Sequence, residues 1–243
     1  MESLKADLRA EILVLARSLK VRIRSDIDSG RFSSYRCMKG EAPMDDTSAV
    51  DPSSGDNRTL PRKSLSLEEV RKELGDCQRC PLERVRTNLV FGEGNPKAEI
   101  VFVGEAPGRD EDVQGRPFVG RAGQLLTRII VAMGLRRDDV YICNILKCRP
   151  PGNRNPRPEE IITCEPFLVK QIQAINPKVI CALGTFAAHT LLKTDVPITV
   201  LRGKFHTYHG IQLMPTYHPA FLLRNPAAKK QVWEDVQKIM KVL

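Results

Sequence analysis

The chain has 243 residues, with 38 lysines and arginines against 29 aspartates and glutamates, a formal net charge of +9. Its 42% hydrophobic content is that of an ordinary folded protein and excludes collagen-like and wholly disordered chains; no apolar run reaches the roughly 18 residues of a membrane helix. The charge is unevenly placed, at +1 over residues 1–75 and +8 over 76–243. That excess suits a polyanion held through phosphate contacts, and on charge alone solubility explains it equally well.

Met1–Asp26 mixes charges throughout and lacks the basic start and apolar core of a secretory signal. The expected location is the cell interior, cytoplasmic and nucleoid-associated, with no membrane. In that compartment the seven cysteines are thiols or metal ligands before they are disulfides.

Along the chain, Leu4, Leu8, Ile12, Leu15 and Leu19 form one apolar stripe, which predicts an amphipathic helix over residues 1–24. Residues 25–65 are rich in Ser, Asp, Gly and Pro without periodicity and read as a linker. Order resumes at Ser66, where Ser66 and Glu69 make a capping box for a helix through Leu74. Residues 66–243 are then expected to be one domain. Short β-rich apolar runs predict strands at Ala98–Val103, Val140–Leu146, Val179–Leu183 and Ile211–Pro215. Helices are predicted at Gly123–Met133, Pro158–Ile175, Thr185–Lys193 and Asn225–Leu243. Thr199–Leu201 and Phe205–Tyr208, joined through Arg202-Gly203-Lys204, predict a hairpin. The alternation argues for an α/β fold with a mostly parallel sheet and helices on both faces.

In such sheets the site lies beyond the carboxyl ends of the strands. Gly104-Glu105-Ala106-Pro107-Gly108 follows one strand, Asn144 and then Lys147-Cys148-Arg149-Pro150-Pro151 another, and Thr216-Tyr217-His218-Pro219-Ala220 a third. A carboxylate, an amide and an imidazole thus converge on one sheet edge. The glycine-rich turn lacks the Lys-Ser/Thr ending of a nucleotide P-loop and the spacing of a dinucleotide fingerprint, and acidic residues follow it. A nucleotide-binding enzyme is disfavoured.

Cys77-Gln78-Arg79-Cys80 has the two-residue gap that lets two thiolates grip one metal or cluster, and Cys148 with Cys164 is a plausible second pair. On spacing alone a four-cysteine zinc and an iron–sulphur cluster stand level, with thioredoxin-like redox chemistry behind them. Cys143 and Cys181 lie inside strands, where cysteine acts as a small hydrophobe, and Cys37 falls in the linker.

Together these motifs resemble the family 4 uracil-DNA glycosylases, from about Cys77 to the C-terminus. The resemblance rests on Cys77-x-x-Cys80, Gly104–Gly108 with Glu111-Asp112, Arg116-Pro117-Phe118-Val119-Gly120, Asn144 with Lys147–Pro151, Asn153-Arg154, Cys164 and His218-Pro219-Ala220. It implies a three-layer α/β/α sandwich of the uracil-DNA glycosylase type. It also implies a [4Fe-4S] cluster on Cys77, Cys80, Cys148 and Cys164, structural in role, and monofunctional hydrolysis of the uracil–deoxyribose bond. Relatives that crosslink to uracil-DNA carry a histidine between the second-pair positions, and Arg149–Cys164 contains none. The alternative is a cluster-bearing DNA-binding or polymerase-associated module without catalysis.

The resemblance also distributes roles. The target nucleotide is flipped into a pocket bordered by Gly104 and Ala106, with Phe118 as the stacking platform for the base. An Asn144 amide offers one acceptor and two donors, matching uracil N3–H and O4. Cytosine reverses that pattern and leaves buried groups unpaired, at roughly 1–3 kcal/mol each. Glu111 is the candidate for excluding thymine, and His218 the donor to uracil O2 as charge builds there. Glu105 holds or polarises the water or stabilises the sugar cation, because the position of the family 1 catalytic Asp is Ala106 here. Arg121 and Arg224 are expected on phosphates, and Leu222 as an apolar wedge filling the gap left by the flipped base. The expected partner is uracil-containing DNA, bound by a monomer, with residues 1–24 available to a repair or replication protein.

Overall fold

The computed structural model describes residues 65–243, so the helix expected over 1–24, the linker over 25–64 and Cys37 lie outside the described residues. Among the described residues no helix is long and apolar enough to cross a membrane.

The described chain opens as the Ser66–Glu69 pair requires. Ser66 Oγ accepts from Glu69 N–H and the Glu69 carboxylate accepts from Ser66 N–H, starting helix Leu67–Leu74. Val70 and Leu74 on its inner face pack with Phe91 and Phe167, which seats it on helix Pro158–Ile175.

A six-stranded mixed sheet follows, in the order β1-β3-β2-β4-β6-β5. Its members are β1 (Glu93–Gly94), β2 (Ile100–Gly104), β3 (Tyr141–Asn144), β4 (Val179–Leu183), β5 (His206–Tyr208) and β6 (Ile211–Thr216). The four central strands run parallel, and the short edge strands β1 and β5 pair antiparallel. Every residue of β2, β3 and β4 is buried, as apolar runs covered on both faces should be.

Alternation splits those strands between two cores. Val101, Val103, Ile180 and Ala182 face Leu168 and Ile172 of helix Pro158–Ile175 and Ala187 and Leu191 of helix Thr185–Leu192. Ile100, Phe102, Val179 and Cys181 face Leu126 and Ile130 of helix Arg121–Ala132 and Val232 and Val236 of helix Lys229–Met240. The result is the three-layer sandwich expected.

Two sequence expectations change. The residues Thr199–Leu201 are helical, within a single turn Ile198–Leu201 opened by Pro197. Their β-branched composition suggested a strand, but burying Leu201 while Thr199 and Val200 stay exposed decides the local form. The hairpin lies one step later, where Tyr208 pairs Ile211 across His209-Gly210, both with positive φ, the turn that matches strand twist. The C-terminal helix begins at Lys229, after a separate short helix Pro219–Arg224 and a 3-10 turn Pro226–Ala228. The strand Glu93–Gly94 and helix Arg109–Gln114 had no counterpart in the sequence reading.

The order places β2 between β3 and β4, so the chain leaves β2 toward one side, for β3, and crosses back to β4 on the other. Strand ends are level there: Gly104 pairs with Asn144, and Leu183 with Thr216. This reversal opens a crevice at the carboxyl edge.

Candidate active site

The crevice is a cavity of about 690 Å³. Glu105, Ala106, Glu111, Phe118, Asn144, His218 and Arg224, all expected from sequence, line it. Gly104 shapes it from beneath. A Cβ on Gly104 would stand 2.3 Å from Asn144 Oδ1 and 2.5 Å from Phe118 Cζ, so only glycine lets the amide and the ring meet over that strand end.

Asn144 is the last residue of β3 and is buried. Its Oδ1 has no hydrogen-bond partner, one of two such side-chain atoms among the described residues. A buried acceptor without a donor costs stability unless something else supplies one. Phe118 is 6% exposed and packs in the core, yet its ring also borders the cavity, 5.6 Å from the His218 ring at an interplanar angle of 33°. Its φ of +52° is unusual for a bulky residue, and Gly123 makes it possible: a Cβ there would overlap Phe118 O at 1.9 Å.

Glu111 holds this loop in place. Its carboxylate accepts from Gly108 N–H at 3.1 Å, Val119 N–H at 2.8 Å and Gly120 N–H at 2.9 Å. The side chain is therefore committed to joining the glycine-rich turn to the Phe118 loop while lining the cavity between them. Asp112, also buried, accepts from Thr87 N–H at 2.8 Å and anchors a third loop.

His218 is the N-cap of helix Pro219–Arg224, and its Nδ1 accepts from Ala220 N–H at 3.1 Å. In the neutral ring the proton therefore sits on Nε2. Burial, with Arg224 nearby, pushes the imidazole down to about 4, so the ring is neutral at physiological pH. Gly184 after β4, at φ +89°, gives it room, for a Cβ would stand 2.9 Å from His218 Cβ. Burial moves Glu105 the other way, up to about 7.

The expected DNA contacts divide. Arg121 is exposed at the start of its helix and lies outside the cavity lining, whereas exposed Arg224 stands at its rim. Leu222 departs from expectation. It is 1% exposed and packed in the core with Leu125 and Val232, so it is no free wedge; Phe221 and Leu223 beside it are half-buried. Helical geometry turns the middle of that apolar trio inward, which its position next to a turn concealed.

The cysteines converge from two segments. Cys148 is within electrostatic reach of Cys164 and Cys80, and Cys164 of Cys80 and Cys77. Three sulphurs accept N–H donors: Cys148 from Arg86 at 3.1 Å, Cys77 from Arg79 at 3.3 Å, and Cys164 from Lys147 N–H at 3.3 Å. Such donors suit sulphurs carrying negative charge toward a bound metal. Among the described residues, no three His, Cys, Asp or Glu side chains close on a point that a single ion would occupy. All four are free thiols, the donor type that a zinc ion or an iron–sulphur cluster takes. Cys143 and Cys181 are buried in strands, as expected.

Sequence reading missed the supports: Gly123, Gly184, Arg86 and the fully buried Lys147. Only Lys147 carried a local signal, a charge at the end of an otherwise apolar run.

Residues 91–237 match the family model of the uracil DNA glycosylase superfamily. The chain is 47% identical over 182 residues to a type-4 uracil-DNA glycosylase of Archaeoglobus fulgidus, covering 72% of this chain and 92% of that protein. It is 50% identical over 176 residues to a type-4 uracil-DNA glycosylase of Thermotoga maritima, covering 71% and 92%. A type-5 uracil-DNA glycosylase of Pyrobaculum aerophilum is 30% identical over 180 residues, covering 60% and 79%.

Proposed function

Because this chain belongs to the uracil-DNA glycosylase superfamily, and within it to the type-4 enzymes, we propose that the cavity at the carboxyl ends of β2, β3 and β6 takes a flipped uracil, with Asn144 selecting the base. The activity itself is that of the family: hydrolysis of the N-glycosyl bond between uracil and deoxyribose in DNA. The observation that carries the residue assignment is the buried Asn144 Oδ1, which lacks any partner in the protein.

Uracil completes that amide. Its N3–H donates to Oδ1, and Asn144 Nδ2 donates to O4. Cytosine presents an acceptor at N3 and a donor at C4, so both groups meet their like and lose roughly 1–3 kcal/mol each. The Phe118 ring supplies the stacking face. Glu111, clamped by three backbone amides, fixes the wall beside it and is the group assigned to exclude a thymine methyl.

As the bond from N1 to C1′ breaks, its electron pair stays with the base and negative charge builds on O2. His218 meets it as a neutral donor through Nε2–H, since Nδ1 is engaged by Ala220. The sugar becomes cationic at C1′. Glu105, ionised above about 7, stabilises that cation and takes a proton from the water that adds to C1′. The uracil anion takes a proton at N1 and Glu105 gives up the one it took, both through solvent, so the products are uracil and an abasic site. Arg224 at the rim and Arg121 nearby hold the phosphates.

Cys77, Cys80, Cys148 and Cys164 would hold a [4Fe-4S] cluster. Through these four residues it would tie the 77–80 loop to the 148–164 segment, a structural role. The enzyme works as a monomer, and residues 1–24 recruit a repair or replication protein; their apolar stripe and basic flank support that reading.

The test is an end-labelled oligonucleotide with one uracil, incubated with the protein and then treated with alkali. A strand break at uracil, absent with cytosine or thymine and lost in Asn144→Ala, supports the assignment. Unchanged excision in Asn144→Ala refutes it. Visible absorbance lost in Cys164→Ala tests the cluster separately.

A further inference from the structure

Lys147 is fully buried, and a lysine in that position must spend its donors on the protein. Its Nζ donates to the backbone carbonyl of Asn144 at 2.7 Å and to Gln171 Oε1 at 2.5 Å. Gln171 is itself fully committed: its Nε2 donates to Phe91 O at 2.9 Å and to the Tyr141 hydroxyl at 3.1 Å. Tyr141 opens β3 and Asn144 closes it. The chain Asn144–Lys147–Gln171–Tyr141 thus loops from the end of the strand back to its beginning, and all four residues are buried.

Lys147 and Gln171 are absent from the cavity lining, whereas Asn144 belongs to it. The carbonyl that Lys147 grips is on the same residue whose amide oxygen is left open to the cavity. After Asn144 the sheet pairing ends, and the chain runs on with Ile145 and Leu146 N–H held by Gly104 O at 3.0 Å and Glu105 O at 3.1 Å. The Asn144–Ile145 peptide is thus held at both ends, its N–H by Gly104 O and its carbonyl by the Lys147 amine.

We propose that Lys147 is a positioning residue for base selection: through the Asn144 carbonyl it sets the orientation from which the Asn144 amide reads the flipped base. This rests on Asn144 as the uracil-selecting residue. An amine donates in either protonation state, so the role needs no particular charge. The backbone N–H of Lys147 also reaches Cys164 Sγ, which fixes the same residue from the cysteine side.

The experiment is a double-mutant cycle in the full-length protein, purified with whatever iron it holds, on a uracil oligonucleotide under single-turnover conditions. The variants are Lys147→Met, Asn144→Ala and the pair, with iron content, thermal midpoint and affinity for uracil-free DNA measured on each. Lys147→Met is expected to lower the rate of excision about 10–100-fold, as loss of a supporting hydrogen bond does at other sites. Binding of uracil-free DNA and iron content should stay within about twofold. In the Asn144→Ala background Lys147→Met should change the rate by less than about twofold. Lys147→Gln, which keeps an N–H donor, should recover at least part of the loss, and Lys147→Leu, which likewise lacks a donor, replaces Lys147→Met in the cycle if the latter does not fold.

Equal fold-losses in both backgrounds would overturn the proposal, because a merely structural lysine acts whatever residue 144 is. So would a Lys147→Met enzyme with wild-type rate. If Asn144→Ala alone excises uracil normally, the assignment of Asn144 fails and this inference falls with it; an impaired Asn144→Ala with additive effects sinks the inference alone.

Discussion

Gly104 of β2 stands directly across from Asn144 of β3, and a methyl group on its Cα would come within 2.3 Å of Asn144 Oδ1. The two residues form one recognition unit, in which the absence of a side chain on the first makes room for the amide of the second. Phe118 shares the same space, with its Cζ 2.5 Å from that imagined methyl.

Gly104→Ala is therefore expected to damage chemistry more than folding. Gly104 does not have the positive φ that would bar alanine, so the cost is overpacking, about 1–3 kcal/mol. Displacing Asn144 or Phe118 by about an ångström should cost roughly 100-fold in kcat. Thermal unfolding and single-turnover excision measure the two effects. A stable variant with undiminished kcat would show that the close approach has no catalytic role.

The acid limb of the pH profile should belong to Glu105. Burial raises its carboxyl to about 7, so if the ionised form acts, kcat/KM climbs with pH to about 7 and levels above it. In Glu105→Gln that limb should disappear. His218, neutral down to about 4, adds no inflection between pH 5 and 9. The stability sign follows from the raised value: the folded state holds the proton between about 4.5 and 7, and the stabilisation present at low pH is lost as pH rises through 7. Glu105→Gln should then raise the thermal midpoint more at pH 8 than at pH 5. An unchanged acid limb in Glu105→Gln would assign it elsewhere.

His218→Ala should be the more severe of the two catalytic losses. Removing a preorganised donor to a developing oxyanion costs about 100–1,000-fold, whereas an oxocarbenium-like species needs only modest help from its water. Parallel kinetics of His218→Ala and Glu105→Ala test this; the reverse order would make Glu105 the principal catalytic group.

Leu222 and Arg224, two residues apart, should separate stability from DNA binding. Leu222→Ala removes a buried core side chain and should destabilise by about 2–5 kcal/mol with little change in salt dependence. Arg224→Ala should leave the thermal midpoint near wild type and reduce the slope of log affinity against log salt by about 1. DNA binding measured from low to moderate salt reads the contrast. A wild-type slope in Arg224→Ala would remove it from the phosphate contacts.

The sequence by itself determined the alternation of strands and helices, the capped start at Ser66, and the positions of Glu105, Asn144 and His218 at strand ends, because these follow from local periodicity and from chemistry placed where periodicity breaks. The paired cysteines were legible for the same reason. Tertiary structure alone decided the rest. Only the strand order brings Gly104, Asn144 and Gly184 to one crevice. Leu222 is buried because helix Arg121–Ala132, far from it in the chain, and helix Lys229–Met240 both contribute neighbours to its core. Glu105 and His218 are moved in opposite directions relative to neutral pH, one up to about 7 and one down to about 4, since burial is a property of everything packed around a group. Lys147 stood in the sequence only as the first residue of the run to Pro151; its function depends on Gln171, 24 positions later in the chain.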